Sequence, residues 1–569
     1  MIKNINDSLN FNDIFNNDFL ASDLGFNSFE KYKTYIENIK PRNIYTNNTD
    51  SQERYILENY ILNLSLNFLV EKYGIERREI VKAIPEIEEF YPYQSIREYY
   101  GFSSFDLDKD VAFKSWAKNL LEDFFKQIDQ RQYGEYYTPE SLIKLSFDNV
   151  QLKASHTVVD PSCGSGFFLL EYLTTLIDKK IISGEDLSEM KHKIYGFDIF
   201  PFAIIMTKLI LGEYVFKNGI QEVSSFEFPN IFVHNTVNSL LCKNGNDRIS
   251  KMKFDLIIGN PPFFRIEPND KNEICSCISY GHNYIHSIFL HWSIQHMSND
   301  GKSILFLPQS ILSGYYYQKL RRELLTKSSL DMIVSDKAHE KSFLVQQDIM
   351  ILYFSKTSPK SSYLIGLPDS GFEDLKTIKL PMDFTDNKNS VIPIFKEKND
   401  LIIAKKLAKN EILEYLEEFE IGTGNFVWNQ NKDKIYKEYV EGSIPLIMGP
   451  SVSTEGVVLN QSKYNYCKTD LRKYIKSKSL IVYRRMSPIG NAQRMVATVI
   501  DTNEIPEYIL ENHINYISHK NNDIQKTAKM LKFITNSGFN QLINNFCQTN
   551  QVSSNDMWSI FETLRSLHK

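Results

Sequence analysis

Two stretches of the sequence combine a strand end with residues that can hold a nucleoside-like ligand. In "VVDPSCGSGFF" (158–168), two glycines separate a predicted strand from a predicted helix, so the backbone can approach a ligand closely. The next apolar run, "YGFDIFP" (195–201), ends in Asp198, whose carboxylate can accept hydrogen bonds from both hydroxyls of a ribose. Together they predict a site for an adenosine-containing cofactor. The alternative is that Asp198 only caps the helix that begins at Pro201.

A third stretch, "FDLIIGNPPFF" (254–264), predicts a second binding function at a strand end. Its two prolines can neither extend a central strand nor lie inside a helix, so they fix the backbone after Asn260. The Asn260 side chain and the Pro261 carbonyl can then accept hydrogen bonds from an exocyclic amino group. Phe263 offers a flat apolar surface to the ring that carries this amine.

The elements that must position these residues are predicted from hydrophobic patterning. Between residues 131 and 360, short apolar runs alternate with helical patterns, which predicts an α/β fold with a doubly wound, mostly parallel sheet. The predicted strands are 156–160, 193–198, 254–260, 303–308, 331–335 and 349–354. Ligands of such sheets bind at the carboxyl ends of the strands, which is where all three stretches end.

The regions on either side differ from this one in composition and in hydrophobic periodicity. Residues 1–130 contain few glycines and show helical periodicity, and Gly74 is placed to end one of the predicted helices. We therefore expect a helical amino-terminal domain. It lacks the E-x-K pattern of a nuclease. A polar segment, 361–390, is predicted to be a linker. Residues 391–569 are predicted to form a mixed α+β domain with the densest basic cluster, nine basic residues against one acid between Lys463 and Arg494.

Composition narrows the class of protein further. Hydrophobic residues at 42% and charged residues at 24% are typical of a soluble globular protein. The net charge of −5 is not typical of a nucleic-acid-binding protein, so any contact with nucleic acid is expected at the local basic cluster. The six cysteines are scattered, and the lone C-x-C of Cys275 and Cys277 has no partner pair. We therefore expect a reducing, cytoplasmic environment, no metal and no membrane segment.

The three stretches resemble the motifs of one enzyme family. Asp160 to Gly166 is similar to the D-P-x-C-G-S-G cofactor motif, and Asn260 to Phe263 to the N-P-P-[YF] catalytic motif, of the N6-adenine DNA methyltransferases in the gamma, TaqI-like arrangement. Upstream, "GEYYTPESLI" (134–143) is similar to the segment that precedes the first strand in that family. The resemblance implies a Rossmann-like methyltransferase domain at 131–360, S-adenosyl-L-methionine as cofactor and a DNA target recognition domain at 391–569.

The resemblance also implies residue roles. Asn235 departs from the family, which usually has an acid there, although an amide oxygen can still accept a bond from the adenine amine of the cofactor. For Phe343, a plain core position is an equally good interpretation. The implied cofactor-binding residues are Tyr137, Thr138, Pro139, Asp160, Pro161, Cys163, Gly164, Gly166, Asp198, Ile199, Asn235 and Asn260. The implied catalytic residues are Asn260, Pro261, Pro262 and Phe263, with Phe263 and Phe343 contacting the target base. The predicted DNA-binding residues are Lys468, Arg472, Lys473, Lys476, Lys478, Arg484, Arg485 and Arg494.

The expected function is transfer of a methyl group to N6 of an adenine flipped out of double-stranded DNA, in a restriction-modification or related defence system with a possible partner endonuclease. An RNA amino-methyltransferase stays open as an alternative. So does a non-catalytic DNA-binding specificity subunit with a methyltransferase fold, although the intact 260–263 motif argues against it. Cytosine C5 methylation needs a Pro-Cys dipeptide, which the chain lacks, and N4-cytosine enzymes usually begin the motif with Ser or Thr.

Overall fold

A computed structural model describes most of the chain. The described residues are 49–91, 112–127, 138–241, 249–266, 277–281, 284–335, 349–368, 374–385, 390–469, 472–488, 493–547 and 550–568. Two predicted site residues, Tyr137 and Phe343, lie outside them. In the described part of the chain, no helix combines the length and the apolar character that a membrane crossing needs.

The largest sheet has nine strands in the order β3-β2-β1-β4-β5-β7-β6-β8-β9. Only β7 and β9 run against the other seven, so the predicted α/β class with a mostly parallel sheet is confirmed. The strands are β1 Val158–Asp160, β2 Ile194–Asp198, β3 Ile231–Val233, β4 Phe254–Gly259, β5 Met297–Pro308, β6 Ser329–Ser335, β7 Ile349–Ser355, β8 Ser362–Pro368 and β9 Leu375–Pro381.

Eleven α-helices of the described residues precede or connect these strands. Helix α1 ends where Gly74 adopts a φ of +67°, a conformation that glycine reaches without strain. The helices are α1 Thr49–Tyr73, α2 Arg77–Ala83, α3 Glu86–Phe90, α4 Phe113–Gln127, α5 Glu140–Asp148, α6 Phe167–Asp178, α7 Leu187–Met190, α8 Pro201–Asn218, α9 Thr236–Leu241, α10 Ile285–His296 and α11 Gln318–Lys327.

Successive residues of the central strands point to opposite faces of the sheet and enter two separate cores. In β4, Leu256 and Ile258 pack into a core that includes residues of α1, α2, α4, α6 and α8. Ile257, between them, packs into a second core with α10, α11 and much of the carboxyl-terminal region. The amino-terminal helices and the carboxyl-terminal region therefore stabilise opposite faces of the sheet.

The segment 361–390 is not a plain linker, contrary to the prediction from its polar composition. It contains β8 and β9, an antiparallel pair that extends the large sheet beyond β6. Strand β9 buries Ile378 and Leu380 while its lysines stay exposed. Lysines on an edge strand hinder pairing with another chain, which explains the polar appearance of this hairpin.

The carboxyl-terminal region is a mixture of sheets and helices, as predicted. One four-stranded antiparallel sheet has the order β10-β18-β15-β16, and a five-stranded sheet has the order β11-β13-β12-β17-β14. The strands are β10 Phe419–Thr423, β11 Ile435–Tyr436, β12 Ile444–Ile447, β13 Tyr466–Cys467, β14 Ile475–Lys476, β15 Leu480–Arg484, β16 Ala497–Ile500, β17 Tyr508–Leu510 and β18 Ile514–His519. The helices are α12 Lys398–Leu407, α13 Ile524–Ile534, α14 Ser537–Phe546 and α15 Ser554–His568.

Candidate active site

Three adjacent parallel strands bring the chemistry-bearing stretches to one edge of the large sheet. Asp160 ends β1, Asp198 ends β2, and Asn260 directly follows β4. Strand β1 lies between the other two and pairs with both in parallel register. The three side chains, far apart in sequence, therefore start from neighbouring positions at the carboxyl edge.

The glycine-rich turn after β1 contains two glycines with different tasks. Gly164 has a φ of +51°, and a Cβ added there would meet no atom within 4 Å, so this glycine borders open space. Gly166 has a φ of +82°, and a Cβ there would lie 2.7 Å from Thr207 Cγ2. The Thr207 hydroxyl donates to the Gly164 carbonyl at 2.7 Å. Gly166 is thus a close-packing glycine, whereas the turn at Gly164 leaves an open cradle that could hold a ligand.

Asp198 organises the turns on both sides of this cradle. Its Oδ2 accepts from the Gly164 amide at 3.0 Å, and its Oδ1 accepts from the Phe200 amide at 2.9 Å, just before α8. Burial raises the pKa of Asp198, and the positive charge of Arg54 opposes that rise. A carboxylate can accept about four hydrogen bonds. Capping and ligand binding are therefore compatible, and the neighbouring Ile199 is 50% exposed.

Asp160 is buried beneath the cradle. Its Oδ1 accepts from the Ser162 amide at 3.0 Å, whereas Oδ2 has no hydrogen-bond partner among the described residues. Burial, together with the charge of Asp198, raises the pKa of Asp160 to about 8. Gly259 has a φ of +147°, and a Cβ on it would lie 2.5 Å from Asp160 Oδ1. A ligand that forms a hydrogen bond with Oδ2 would satisfy this buried atom, as an acceptor while the carboxyl is protonated or as a donor once it is ionised.

The Asn260 carboxamide is held in one orientation. Its Nδ2 donates to the Thr138 hydroxyl at 2.9 Å, and Thr138 is buried just ahead of α5. Its Oδ1 is buried and has no partner within the described ranges. The Thr138 contact leaves the acceptor end of the amide available at the strand edge. Thr138 was predicted to line the cofactor, and the structure shows that it also positions Asn260.

Phe263 is held by aromatic neighbours that the sequence did not single out. Its ring meets His286 edge to face, with 5.6 Å between ring centroids. His286 stacks on Tyr284 and lies with Nε2 3.1 Å from the Tyr317 hydroxyl. Burial lowers the pKa of His286 to about 3, so this imidazole is neutral near pH 7. A neutral buried ring supports Phe263 by packing rather than by charge.

Asn235 begins helix α9. Its side chain is exposed, and its Oδ1 accepts from the Val237 amide at 3.1 Å, the bond of a helix cap. The adjacent Thr236 hydroxyl donates to the Pro161 carbonyl at 2.6 Å and so ties this helix to the glycine-rich turn. The contact between Asn235 and the adenine amine of a cofactor stays a prediction.

The predicted DNA-binding residues divide by exposure, and Arg494 was wrongly included. Arg494 is 0% exposed, and its guanidinium donates to the carbonyls of Ser487 and Cys547, so it joins the interior of the carboxyl-terminal region instead of a surface. Arg484 and Arg485 are half-buried, and they also donate to protein oxygens. Lys476 is half-buried over the Tyr516 ring. The exposed members are Lys468, Arg472, Lys473 and Lys478.

Comparison with known proteins places the chain in a family. The family described as N-6 DNA Methylase matches residues 117–427, more than half of the chain. The type II methyltransferase M.BsuBI of Bacillus subtilis is 20% identical over 75% of this chain and 87% of its own length. The MjaIX type I restriction enzyme methylase subunit of Methanocaldococcus jannaschii is 28% identical over 37% of this chain and 35% of its own length.

The fold has a counterpart among solved structures. The cryo-EM structure of a DrdV–DNA complex shares the fold at a TM-score of 0.50 and 14% identity, covering 86% of this chain and 61% of that chain. The strand order, the residues gathered at the carboxyl edge and the family match agree with one another. The chain belongs to the N-6 DNA Methylase family.

Proposed function

We propose that this protein transfers a methyl group from S-adenosyl-L-methionine to N6 of an adenine turned out of double-stranded DNA. The observation that carries the proposal is the Asn260 carboxamide, whose Oδ1 is buried without a partner in the described part of the chain while its Nδ2 is held by Thr138. Relatives named as methyltransferases and methylase subunits of restriction enzymes support a role in a restriction-modification or related system, where a partner endonuclease is possible.

The residues at the strand ends fit an adenosylmethionine cofactor. Gly164 borders open space, Asp198 keeps acceptor capacity for ribose hydroxyls, and Asp160 presents a buried oxygen that has no hydrogen-bond partner among the described residues. Ile199 exposes an apolar side chain next to Asp198. When bound, the cofactor supplies a methyl group on a positively charged sulfur. We assign its binding to these residues together with Thr138, Pro139, Pro161, Cys163, Gly166 and Asn235.

Asn260 and Pro261 act on the target amine. The N6 lone pair of adenine is delocalised into its ring, so the amine is a poor nucleophile. Hydrogen bonds that Asn260 Oδ1 and the Pro261 carbonyl accept from its two N–H groups return electron density to the nitrogen. The bound cofactor would supply its methyl group to this nitrogen, and the nitrogen would then release one proton to solvent. Fixed acceptors supply this stabilisation without reorganisation during the reaction.

The adenine must leave the duplex before it can reach Asn260, at a cost of a few kcal/mol. Stacking on Phe263 offsets this cost, because base–aromatic stacking contributes about 1–3 kcal/mol. Pro262 fixes the turn between Asn260 and Phe263, so the acceptor and the stacking ring are presented together. The exposed Lys468, Arg472, Lys473 and Lys478 would neutralise phosphates nearby.

The experiment measures methyl transfer to DNA from a host without adenine methylation, with the modified positions mapped by sequencing. We expect N6-methyladenine in one sequence context with the wild type. Asn260→Ala should lower the rate about 10²–10³-fold, as loss of a preorganised hydrogen-bonding group does, without loss of DNA binding. Asn218→Ala is the matched control, since the exposed Asn218 side chain, within the described ranges, donates to the Tyr214 carbonyl of its own helix.

Three results would contradict the proposal. Transfer by Asn260→Ala at the wild-type rate would remove the assigned role of the carboxamide. Methylation of RNA but not of duplex DNA would favour an RNA amino-methyltransferase. Binding of DNA with no transfer by the wild type would favour a non-catalytic specificity subunit. The family match to DNA methylases does not favour either alternative.

A further inference from the structure

Three exposed tyrosines form a continuous aromatic surface, here called the tyrosine platform: Tyr280, Tyr315 and Tyr316. The Tyr280 and Tyr315 rings stack with 5.4 Å between centroids and 18° between planes, and Tyr316 meets Tyr315 edge to face at 6.0 Å. They are 36%, 48% and 38% exposed. Large rings that stack on one another and still face solvent form a surface suited to a further flat ring.

The tyrosine platform lies beside the proposed catalytic motif. Tyr315 and Tyr316 follow β5, the parallel neighbour of β4, so they leave the sheet at the same carboxyl edge as Asn260. The Tyr280 amide donates to the Tyr316 carbonyl at 3.2 Å, which joins the two segments. The next residue, Tyr317, contacts His286, and His286 contacts Phe263. The platform is therefore joined through the chain neighbour Tyr317, and then through His286, to the ring proposed to stack on the target base.

Two cations of the described residues lie on the helix next to the tyrosine platform. Lys319 Nζ lies 4.4 Å from the Tyr280 ring centroid, and Arg322 is exposed on the same helix, α11. The sequence from 309 to 322 contains no Asp or Glu. Aromatic faces next to cations are the combination that binds unpaired nucleotides, because rings stack on bases and cations meet phosphates.

We propose that the tyrosine platform receives a DNA base next to the extruded adenine, with Lys319 directed to the adjacent phosphate. The inference rests on the proposed function, because extrusion of the target leaves neighbouring bases without one stacking partner. A tyrosine ring can take that place without reading sequence, since every base has a flat face. The platform would thus favour the opened duplex over the closed one.

The test uses the full-length protein and a duplex that contains the methylation site mapped by sequencing, with 2-aminopurine beside the target adenine. The variants are Tyr280→Ala with Tyr315→Ala, and the same pair changed to Phe. Tyr415→Ala is the matched control, because Tyr415 is also 36% exposed and has Lys526 Nζ 4.4 Å from its ring centroid. Tyr415 lies in the acidic segment Glu411–Glu418, which does not suit a phosphate surface.

We expect the alanine pair to raise the KM for DNA about tenfold and to change the 2-aminopurine signal, with the affinity for S-adenosyl-L-methionine unchanged. The phenylalanine pair and Tyr415→Ala should behave like the wild type. If the alanine pair matches Tyr415→Ala in KM and fluorescence, the tyrosine platform has no such role. If the wild type itself transfers no methyl group to adenine, the proposed function fails instead, which distinguishes the two ideas.

Discussion

Replacement of Arg54 by methionine is expected to weaken cofactor binding about tenfold, although Arg54 belongs to the amino-terminal helix α1. Its guanidinium carbon lies 4.0 Å from the centroid of the Phe200 ring. The Phe200 amide donates to Asp198 Oδ1, and the Arg54 charge opposes the burial-induced rise in the pKa of Asp198. Arg54 is therefore a positioning residue for the carboxylate that we assign to the ribose.

The magnitude follows from these contacts. A desolvated cation–π contact is worth about 2 kcal/mol, and a hydrogen bond to a charged group about 1.5–3 kcal/mol. Methionine keeps most of the packing over Phe200, so we expect only partial loosening of the turn. The free energy of cofactor binding should then become less favourable by about 1.4 kcal/mol, which corresponds to a tenfold increase in the Kd for the cofactor. The pKa of Asp198 rises further, so weakening of cofactor binding on acidification should begin at a higher pH in the variant than in the wild type.

The assay is calorimetric titration of the full-length protein with S-adenosyl-L-methionine at several pH values, together with steady-state kinetics. We expect an increase in the KM for the cofactor with little change in kcat. Lys208→Met is the matched control, because Lys208 forms a buried ion pair at 2.7 Å with Glu86 and so joins α8 to α3, while the substitution leaves the Arg54–Phe200 contact in place. It should lower stability and leave cofactor affinity unchanged.

A second variant separates binding from folding. Arg54 also pairs with the buried Glu58 at 2.8 Å, and removal of one partner of a buried pair is strongly destabilising. Arg54→Met with Glu58→Met removes both charges and should recover stability relative to Arg54→Met while cofactor affinity stays low. Wild-type affinity and pH dependence in the Arg54→Met protein would refute the coupling between α1 and the cofactor site.

Three further outcomes are expected. Thr138→Val should lower kcat about tenfold and leave DNA affinity unchanged, because Asn260 keeps its place but loses the hydrogen bond that fixes the orientation of its carboxamide. Steady-state kinetics of methyl transfer measure the change in kcat. Gly164→Ala should abolish cofactor binding in titrations and cost about 1–2 kcal/mol of stability from its positive φ alone. Gly166→Ala should cost more stability, because its φ is also positive and its added methyl group meets Thr207. Arg494→Met should lower the unfolding temperature without changing the salt dependence of DNA binding, since the guanidinium is buried.

The strand ends of the site were predictable from sequence because their signals are local. Apolar runs of four to six residues that stop at a carboxylate or at Asn-Pro-Pro identify a buried strand and its end together. The hairpin of β8 and β9 was missed because Ser, Pro and Lys around it resemble a linker. The alternation in "LKTIKLP" (375–381) was the available signal, with Ile378 and Leu380 inward and lysines outward.

Other residues of the site could not be found in this way because their role depends on distant partners. His286 and Tyr317 have no motif of their own, and their importance arises only when α10 and the turn after β5 meet at Phe263. For Arg494, the sequence predicted a surface role that the structure does not support. Its place in a basic cluster favoured a surface, but charge counts carry no information on which side chain points inward to buried carbonyls.

The site is assembled from regions that the sequence composition assigns to separate domains. Asn260 is oriented by Thr138, 122 residues earlier, and Asp198 is influenced by Arg54 of α1. Tyr280 and Tyr315 add an exposed surface at the same edge. Each contact is made by an element that also packs on one face of the sheet, so the geometry of the edge depends on both cores. A change that loosens α1 at its contact with Phe200 should therefore be detected first in cofactor affinity, before the sheet itself unfolds.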